Sequence, residues 1–259
     1  MVAKVRHLMW LGIVNTGGEN GKFDLVHCEP MELKKPQTLV ITGVRDQARA
    51  TRSFDLRSGD GAVDFIPGQV AVLRVEGEEP AYFAFAGAPE DRDLEVLVKQ
   101  KVGASAVIYN MCVGDKVELL GIAGHGFNLD AMRGRDLVFV AMGTGVAPLR
   151  SALRHVLKRK EEFGQLVVLY GARTPDDFCY SDETDDWSTH GVELRQVISR
   201  PDGHEWSGPT GYVQSLLDHV LPALSSPVAL ICGSREMIEQ TRERLGKMGF
   251  KPEEILTNY

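Results

Sequence analysis

A chain of 259 residues, 43% hydrophobic and 25% charged, is long enough for two domains of ordinary size and too apolar to stay disordered. Lys and Arg number 29 against 36 Asp and Glu; the resulting net charge of −7 has the wrong sign for a protein whose main partner is a nucleic-acid backbone. Four cysteines, Cys28, Cys112, Cys179 and Cys232, form no Cys-x-x-Cys pair and no cluster. That argues against a disulfide-stapled fold and against zinc or iron–sulfur ligation, and it favours reduced thiols in a cytoplasmic protein.

The first eighteen residues carry Lys4 and Arg6 ahead of the apolar run Leu8–Val14, an imitation of a secretory signal. The run is minimal and no small-x-small cleavage site follows, so the expectation remains cytoplasmic. Nowhere do 18 apolar residues occur in succession, so no membrane span is expected. Residues 1–35 are left as an unassigned N-terminal extension, either an extra hairpin or a loose arm. From 36 to 132 the texture is short β-type runs, Thr38–Thr42, Val70–Val75, Tyr82–Ala86, Leu94–Lys99 and Lys116–Leu120, separated by Gly59-Asp-Gly61, Pro67-Gly68 and Gly114-Asp115. Such spacing predicts an antiparallel barrel or sandwich, interrupted by one helix near Ser105–Met111.

In residues 133–259 the period changes. Buried-type strands at Leu137–Ala141, Leu166–Tyr170, Val192–Ile198 and Val228–Cys232 alternate with helical stretches, which predicts an α/β domain with a parallel sheet. The first helix is the clearest, with Pro148 in its first turn and Leu149, Ala152, Leu153, Val156 and Leu157 on one face. A last helix shows Ile238, Thr241, Leu245 and Met248 as its inner stripe, and Ile255–Tyr259 reads as a fifth strand.

Gly143-Thr-Gly-Val-Ala-Pro-Leu-Arg-Ser151 is a glycine-rich turn between a buried strand and a helix, the arrangement that lets backbone amides and a helix N-terminus approach a pyrophosphate. On its own it is weak, because glycine also serves strand-to-helix turns for steric reasons. Two further strand ends, Tyr170-Gly-Ala-Arg173 and Cys232-Gly-Ser234, would line the same crevice beyond the carboxyl edge of a parallel sheet. Arg173 can pair a phosphate or stand as a surface cation; Ser234 can cap the last helix; Cys232 can face the crevice or be an inert buried thiol. The acidic run Asp176, Asp177, Asp182, Glu183, Asp185 and Asp186 reads as a solvated face. With no Gly-x-Ser-x-Gly and no metal-ligand spacing, hydrolase and metalloenzyme readings fall away.

Together with Pro67-Gly-Gln69, and in this order, these segments resemble the ferredoxin–NADP⁺ reductase superfamily. Within it the chain is most similar to the FAD/NAD(P)-binding oxidoreductase-like branch, through Gly124-His-Gly-Phe-Asn-Leu-Asp130, Gly208-Pro-Thr-Gly-Tyr-Val-Gln214 and the terminal aromatic. The resemblance covers residues 36–259. It implies an antiparallel β-barrel FAD-binding domain followed by an α/β domain with a parallel sheet binding NAD(P), with hydride passing between nicotinamide and flavin. The electrons would go on to an unidentified acceptor, a redox protein among the candidates.

The family's flavin motif, Arg-x-Tyr-Ser/Thr, falls on Ala81-Tyr-Phe-Ala84. Phe83, Ala84 and Phe85 are placed at the flavin by position, but the arginine and the hydroxyl are lost, and Lys99 and Lys101 are the nearest replacement cations. Gly103, Ala104 and Ser105 match the family's pyrophosphate-binding turn, or else an ordinary helix cap. On the nicotinamide side the resemblance assigns Gly143, Thr144, Gly145, Pro148, Gly171, Arg173, Ser199, Arg200, Gly233, Ser234 and Met237 to the dinucleotide, with Cys232 and Tyr259 as candidate catalytic residues, Tyr259 covering the flavin face. Asp176 and Asp177, set against Arg173 and Ser199-Arg200, favour NADH over NADPH. The alternative is a nucleotide-binding regulatory module with weak or lost FAD binding.

Overall fold

Two alternation patterns become two sheets in the computed structural model, which describes residues 12–14, 24–26, 31–59 and 61–258. Strands β1 (Gly12–Val14) and β2 (Asp24–Val26) form a small antiparallel hairpin. The first large sheet uses β3 (Met31–Ala48), β4 (Thr51–Ser58), β5 (Val70–Arg74), β6 (Ala81–Ala84), β7 (Leu94–Lys99) and β8 (Lys116–Ala123), with helix α1 (Ala104–Tyr109) between the last two. Its order is β6-β5-β8-β3-β4-β7, antiparallel throughout. A bridge from Phe85 to Val96 brings the two edges together, so the sheet curls into a barrel. Its inside is filled by Leu39, Phe54, Leu73, Phe85, Val98, Ile108 and Leu119.

Strand β4 was not among the expected elements, because Arg52, Asp55 and Arg57 interrupt its apolar texture. In the fold these charges stay outside and pair across strands, Arg52 with Asp46, Asp55 with Arg45 and Arg57 with Asp93, while Phe54 and Leu56 fill the barrel and Thr51 and Ser53 are buried on the other face. Helix α1 starts one residue earlier and ends two residues sooner than expected.

The second sheet uses β9 (Asp136–Met142), β10 (Leu166–Ala172), β11 (Val192–Ile198), β12 (Pro227–Cys232) and β13 (Ile255–Thr257), all parallel, in the order β11-β10-β9-β12-β13. Helices α2 (Val146–Leu157) and α3 (Thr184–Thr189) precede α4 (Leu217–Val220) and α5 (Arg235–Lys247). On one face α2 buries Leu149, Ala152, Leu153 and Val156 against Leu137 and Phe139; on the other α5 buries Met237, Ile238 and Leu245 against Val140 and Ile231. Met237 takes the place expected of Met248, which is exposed just past the helix end.

The reversal of strand order beside β9 puts the ends of β9 and β12 next to each other, where such sheets hold ligands. At the opposite end the buried Asp136 carboxylate accepts the amides of Gln165, Ser225 and Ser226. Burial acts against its ionised form, but these amide donors together hold its pKa below the ordinary carboxylate value. Among the described residues, no helix is long and apolar enough to cross a membrane.

Candidate functional site

At the end of β9 the chain tightens into a turn at Gly143–Gly145 and runs straight into α2. Gly143 adopts a left-handed conformation, φ +55°, and its carbonyl accepts the Tyr170 hydroxyl at 3.0 Å. That hydroxyl in turn accepts the Cys179 amide, so it is committed to holding the turn. Gly145 is needed for a different reason. A Cβ there would lie 2.6 Å from the Cys232 carbonyl carbon and 2.9 Å from the Gly233 nitrogen. Gly171 is similarly close to Val213, and Gly233 to Met142 and Met237. The turns after β9, β10 and β12 thus meet at one edge, with Thr144 half-exposed between them. Behind them the twelve-residue α2 continues directly from this turn, its Val146 amide bonding back to the Gly143 carbonyl, and its N-terminus carries the positive end of the helix dipole. Pro148 lies in that first turn without disturbing it. Ser234 caps α5 by accepting the Met237 amide at 3.2 Å.

Arg173 and Ser199-Arg200 are brought side by side by backbone bonds, Ser199 N to Ala172 O and Arg200 N to Arg173 O. Both guanidinium groups belong to exposed residues and form no ion pair among the described residues. The two carboxylates set against them are otherwise engaged. Asp177 closes a capping box on the Thr174 hydroxyl and amide, and Asp176 faces Arg49 of the barrel at 3.8 Å.

Cys232 ends β12 buried, burial pushes its thiol up to about 12, and its backbone forms the close contact with Gly145. Tyr259 lies outside the described residues. Its neighbour Asn258 is buried and donates its side-chain amide to Gly68 O at 3.0 Å, while its own carbonyl approaches Gly124 so closely that a Cβ there would be 2.8 Å away. Gln69 ties the same two loops through Gly124 O. The end of the parallel sheet is thereby docked on the barrel, and the Asn258 side-chain oxygen is left buried without a partner.

On the barrel side, Phe83 is turned inward beside Ala71 and Leu73, 7% exposed, and Phe85 stacks on Phe65. Neither ring presents an open face; the aromatic of β6 that solvent reaches is Tyr82, 40% exposed. Ala84 packs toward the parallel-sheet unit. Lys99 and Lys101 are exposed at the end of β7, close to the turn Gly103–Ser105. Gly103 opens α1 in a left-handed conformation, φ +66°, and the Ser105 hydroxyl donates to Val102 O at 3.1 Å, which leaves its lone pairs outward-capable but its hydrogen engaged. Burial pushes the Cys179 thiol up to about 11.

One group at the junction was not anticipated. Arg150 of α2 is 4% exposed and meets Ala86, Glu95 and Glu183. Its sequence signal was its position: an arginine at a helical offset that brings it beside the apolar face of α2.

Residues 139–243 match the family described as oxidoreductase NAD-binding domain. Over 232 residues the chain is 29% identical to ferredoxin–NADP reductase B of Sorangium cellulosum, covering 85% of this chain and 92% of that protein. It is 26% identical to sulfhydrogenase 1 subunit gamma of Pyrococcus furiosus over 74% of this chain, and the match spans 66% of that subunit's length. A ferredoxin NADP⁺ reductase from Neisseria gonorrhoeae, solved with bound FAD and NADP, superposes with a TM-score of 0.72 at 22% identity, covering 86% of this chain and 97% of that one. With its curled antiparallel barrel followed by a parallel sheet, the chain shares the two-domain fold of the ferredoxin NADP⁺ reductase structure and is similar in sequence to the ferredoxin–NADP reductase, and its residues 139–243 carry the oxidoreductase NAD-binding domain.

Proposed function

We propose that this chain takes hydride from NADH or NADPH at FAD and passes the electrons to a separate acceptor, a redox protein among the candidates. Residues 36–132 hold the flavin in this reading and residues 133–259 the dinucleotide. The observation that carries it is the close contact of two strand-end turns, Gly145 against Cys232-Gly233, at the start of α2: a side chain there would collide with the Cys232 and Gly233 backbone and force the two turns apart. Such a cradle suits a pyrophosphate.

For the flavin, the partnerless buried oxygen of Asn258, at the junction of the C-terminal strand with the barrel loops, is an acceptor waiting for a polar ring edge. Gly103, Ala104 and Ser105 would meet the FAD pyrophosphate, Lys99 and Lys101 would supply the charge that Ala81 lacks, and the outward face of Tyr82 and Ala84 would take the ring. When bound, FAD supplies the two-electron acceptor that accepts hydride from the nicotinamide. The protein's share is to bind, stack and align the two rings and keep water out between them. Arg173, Ser199 and Arg200 provide cationic and hydroxyl contacts for the adenosine end, and they accept a 2′-phosphate. The free thiols Cys112, Cys179 and Cys232 support a cytoplasmic setting.

The buried Phe83 and the side chains lacking at Ala81 and Ala84 favour a second reading, a nucleotide-binding module that has lost tight flavin binding. One experiment separates them. Freshly purified protein supplemented with FAD should show a bound-flavin absorption spectrum that bleaches under anaerobic NADPH or NADH. Nucleotide binding without any bound flavin would overturn the oxidoreductase reading in favour of the second.

A further inference from the structure

We propose that Arg150 is a positioning residue that locks the nucleotide cradle to the flavin strand and so sets the spacing across which hydride passes. The inference rests on the function proposed above. Arg150 stands in the second turn of α2, five residues beyond Gly145, and reaches away from the parallel sheet into the barrel. Its Nη1 donates to Ala86 O at 2.7 Å and to Glu95 Oε2 at 2.8 Å. Its Nε donates to Glu183 Oε2 at 2.8 Å and its Nη2 to the other oxygen of the same carboxylate. The guanidinium carbon lies 4.1 Å above the Tyr180 ring.

These partners come from three separate places. Ala86 directly follows the Ala81–Phe85 segment aligned with the flavin motif, Glu95 belongs to β7, and Tyr180 and Glu183 belong to the loop after β10. Glu95 is itself 8% exposed and holds Arg45 of β3 on its second oxygen at 3.1 Å, and Arg45 also pairs with Asp55 of β4. Tyr180 is held with φ +60°, unusual for a bulky side chain, beneath the guanidinium, and its amide donates to Gln47 of the barrel at 2.9 Å. The guanidinium therefore ties the early part of α2 to Ala86, two residues after β6, while farther along the helix Arg154 and Lys158 pair with Asp91 and His155 with Glu90 on the exposed side of the same junction. Only arginine has enough donors in a fixed fork to serve a backbone carbonyl and two carboxylates at once; lysine can reach one or two of them.

None of the Arg150 hydrogen bonds goes to the Gly143–Gly145 turn, so its role shows in the transfer step rather than in nucleotide binding. In the variants Arg150→Lys, Arg150→Met and Glu183→Gln, nucleotide dissociation constants should stay within about threefold of the parent, while the single-turnover rate of flavin reduction falls about tenfold or more, because a misplacement of about 1 Å suffices for a large loss. Arg150→Lys should recover part of that rate. Amide hydrogen exchange, read on the protein without added cofactors, should quicken in residues 84–88 and 145–150 together, with β4 and α5 unchanged.

Two results would overturn the proposal: wild-type transfer rates in Arg150→Lys and Glu183→Gln, or exchange that rises in α2 alone or uniformly over the chain. Should Arg150→Met not fold, the other two variants decide. If the protein takes up no flavin, the oxidoreductase reading fails by itself, and paired or unpaired exchange at 84–88 and 145–150 still decides whether Arg150 couples the two segments.

Discussion

Replacing Gly145 by alanine isolates the approach of two strand ends from the rest of the site. The new Cβ would sit 2.6 Å from the Cys232 carbonyl carbon and 2.9 Å from the Gly233 nitrogen, whereas carbon–carbon contacts settle near about 3.5–4.0 Å. Both neighbours are backbone, so no rotamer change relieves the overlap, and the end of β12 must withdraw from α2 by about 1 Å. Forcing such a shift in a packed region costs about 1–3 kcal/mol. Gly145 has an ordinary helical φ of −63°, so the stiffer alanine returns up to about 1 kcal/mol through the unfolded chain. The net expectation is a loss of about 1–2 kcal/mol in stability, and about tenfold in nucleotide affinity as the helix amides move off the phosphate, equivalent to about 1.4 kcal/mol.

Two other glycines serve as controls. Gly143 has φ +55° and open space around it, so alanine there costs only backbone strain, about 1–2 kcal/mol. Gly246 lies near the end of α5 with nothing within 4 Å, so alanine there should add about 0.5–1 kcal/mol. Urea unfolding of the three variants, with nucleotide titration of each, tests the order. A Gly145→Ala protein as stable as the parent, with unchanged nucleotide affinity, would refute the reasoning.

Removing the α5 cap with Ser234→Ala should cost about 1 kcal/mol in urea unfolding, since one helix amide loses its acceptor. Asp136 has a folded pKa held below its unfolded value of about 3.9; its contribution is complete above that value and is lost as pH falls through the folded pKa. In Asp136→Asn the urea midpoint should be lower at neutral pH and should fall less steeply than the parent's between pH 5 and pH 2; parallel acid limbs would count against the amide cage. Steady-state kinetics of the Arg173→Ala, Arg200→Ala double variant should show kcat/KM for NADPH reduced by about tenfold or more and that for NADH within about threefold. Equal losses with both nucleotides would mean that these arginines do not read a 2′-phosphate.

Local residues announced much of this architecture. Glycine at 143, proline at 148 and the apolar face of α2 each answer a constraint within a few residues, visible in a linear chain, whereas Gly145 and Gly233 also answer the meeting of two strand ends far apart in sequence. Strand β4 was missed because its Arg52, Asp55 and Arg57 are satisfied by Asp46, Arg45 and Asp93, partners that periodicity does not reveal. The direction of the Phe83 ring was also beyond reach, since a one-residue change in pleat phase exchanges core and surface.

The amino-acid sequence by itself determined two sheets of opposite kind, the carboxyl-edge glycine turns and the residues available there, because alternation, turn chemistry and helix capping act over short range. Only the tertiary structure decided that Cys232 is buried, that Asp177 closes a capping box while Asp176 faces Arg49, and that Arg150 joins the barrel to α2. Burial, ion pairing and the docking of Asn258 on Gly68 depend on groups far apart in the chain, and the free energy of each is set by which neighbour arrives and how completely water leaves.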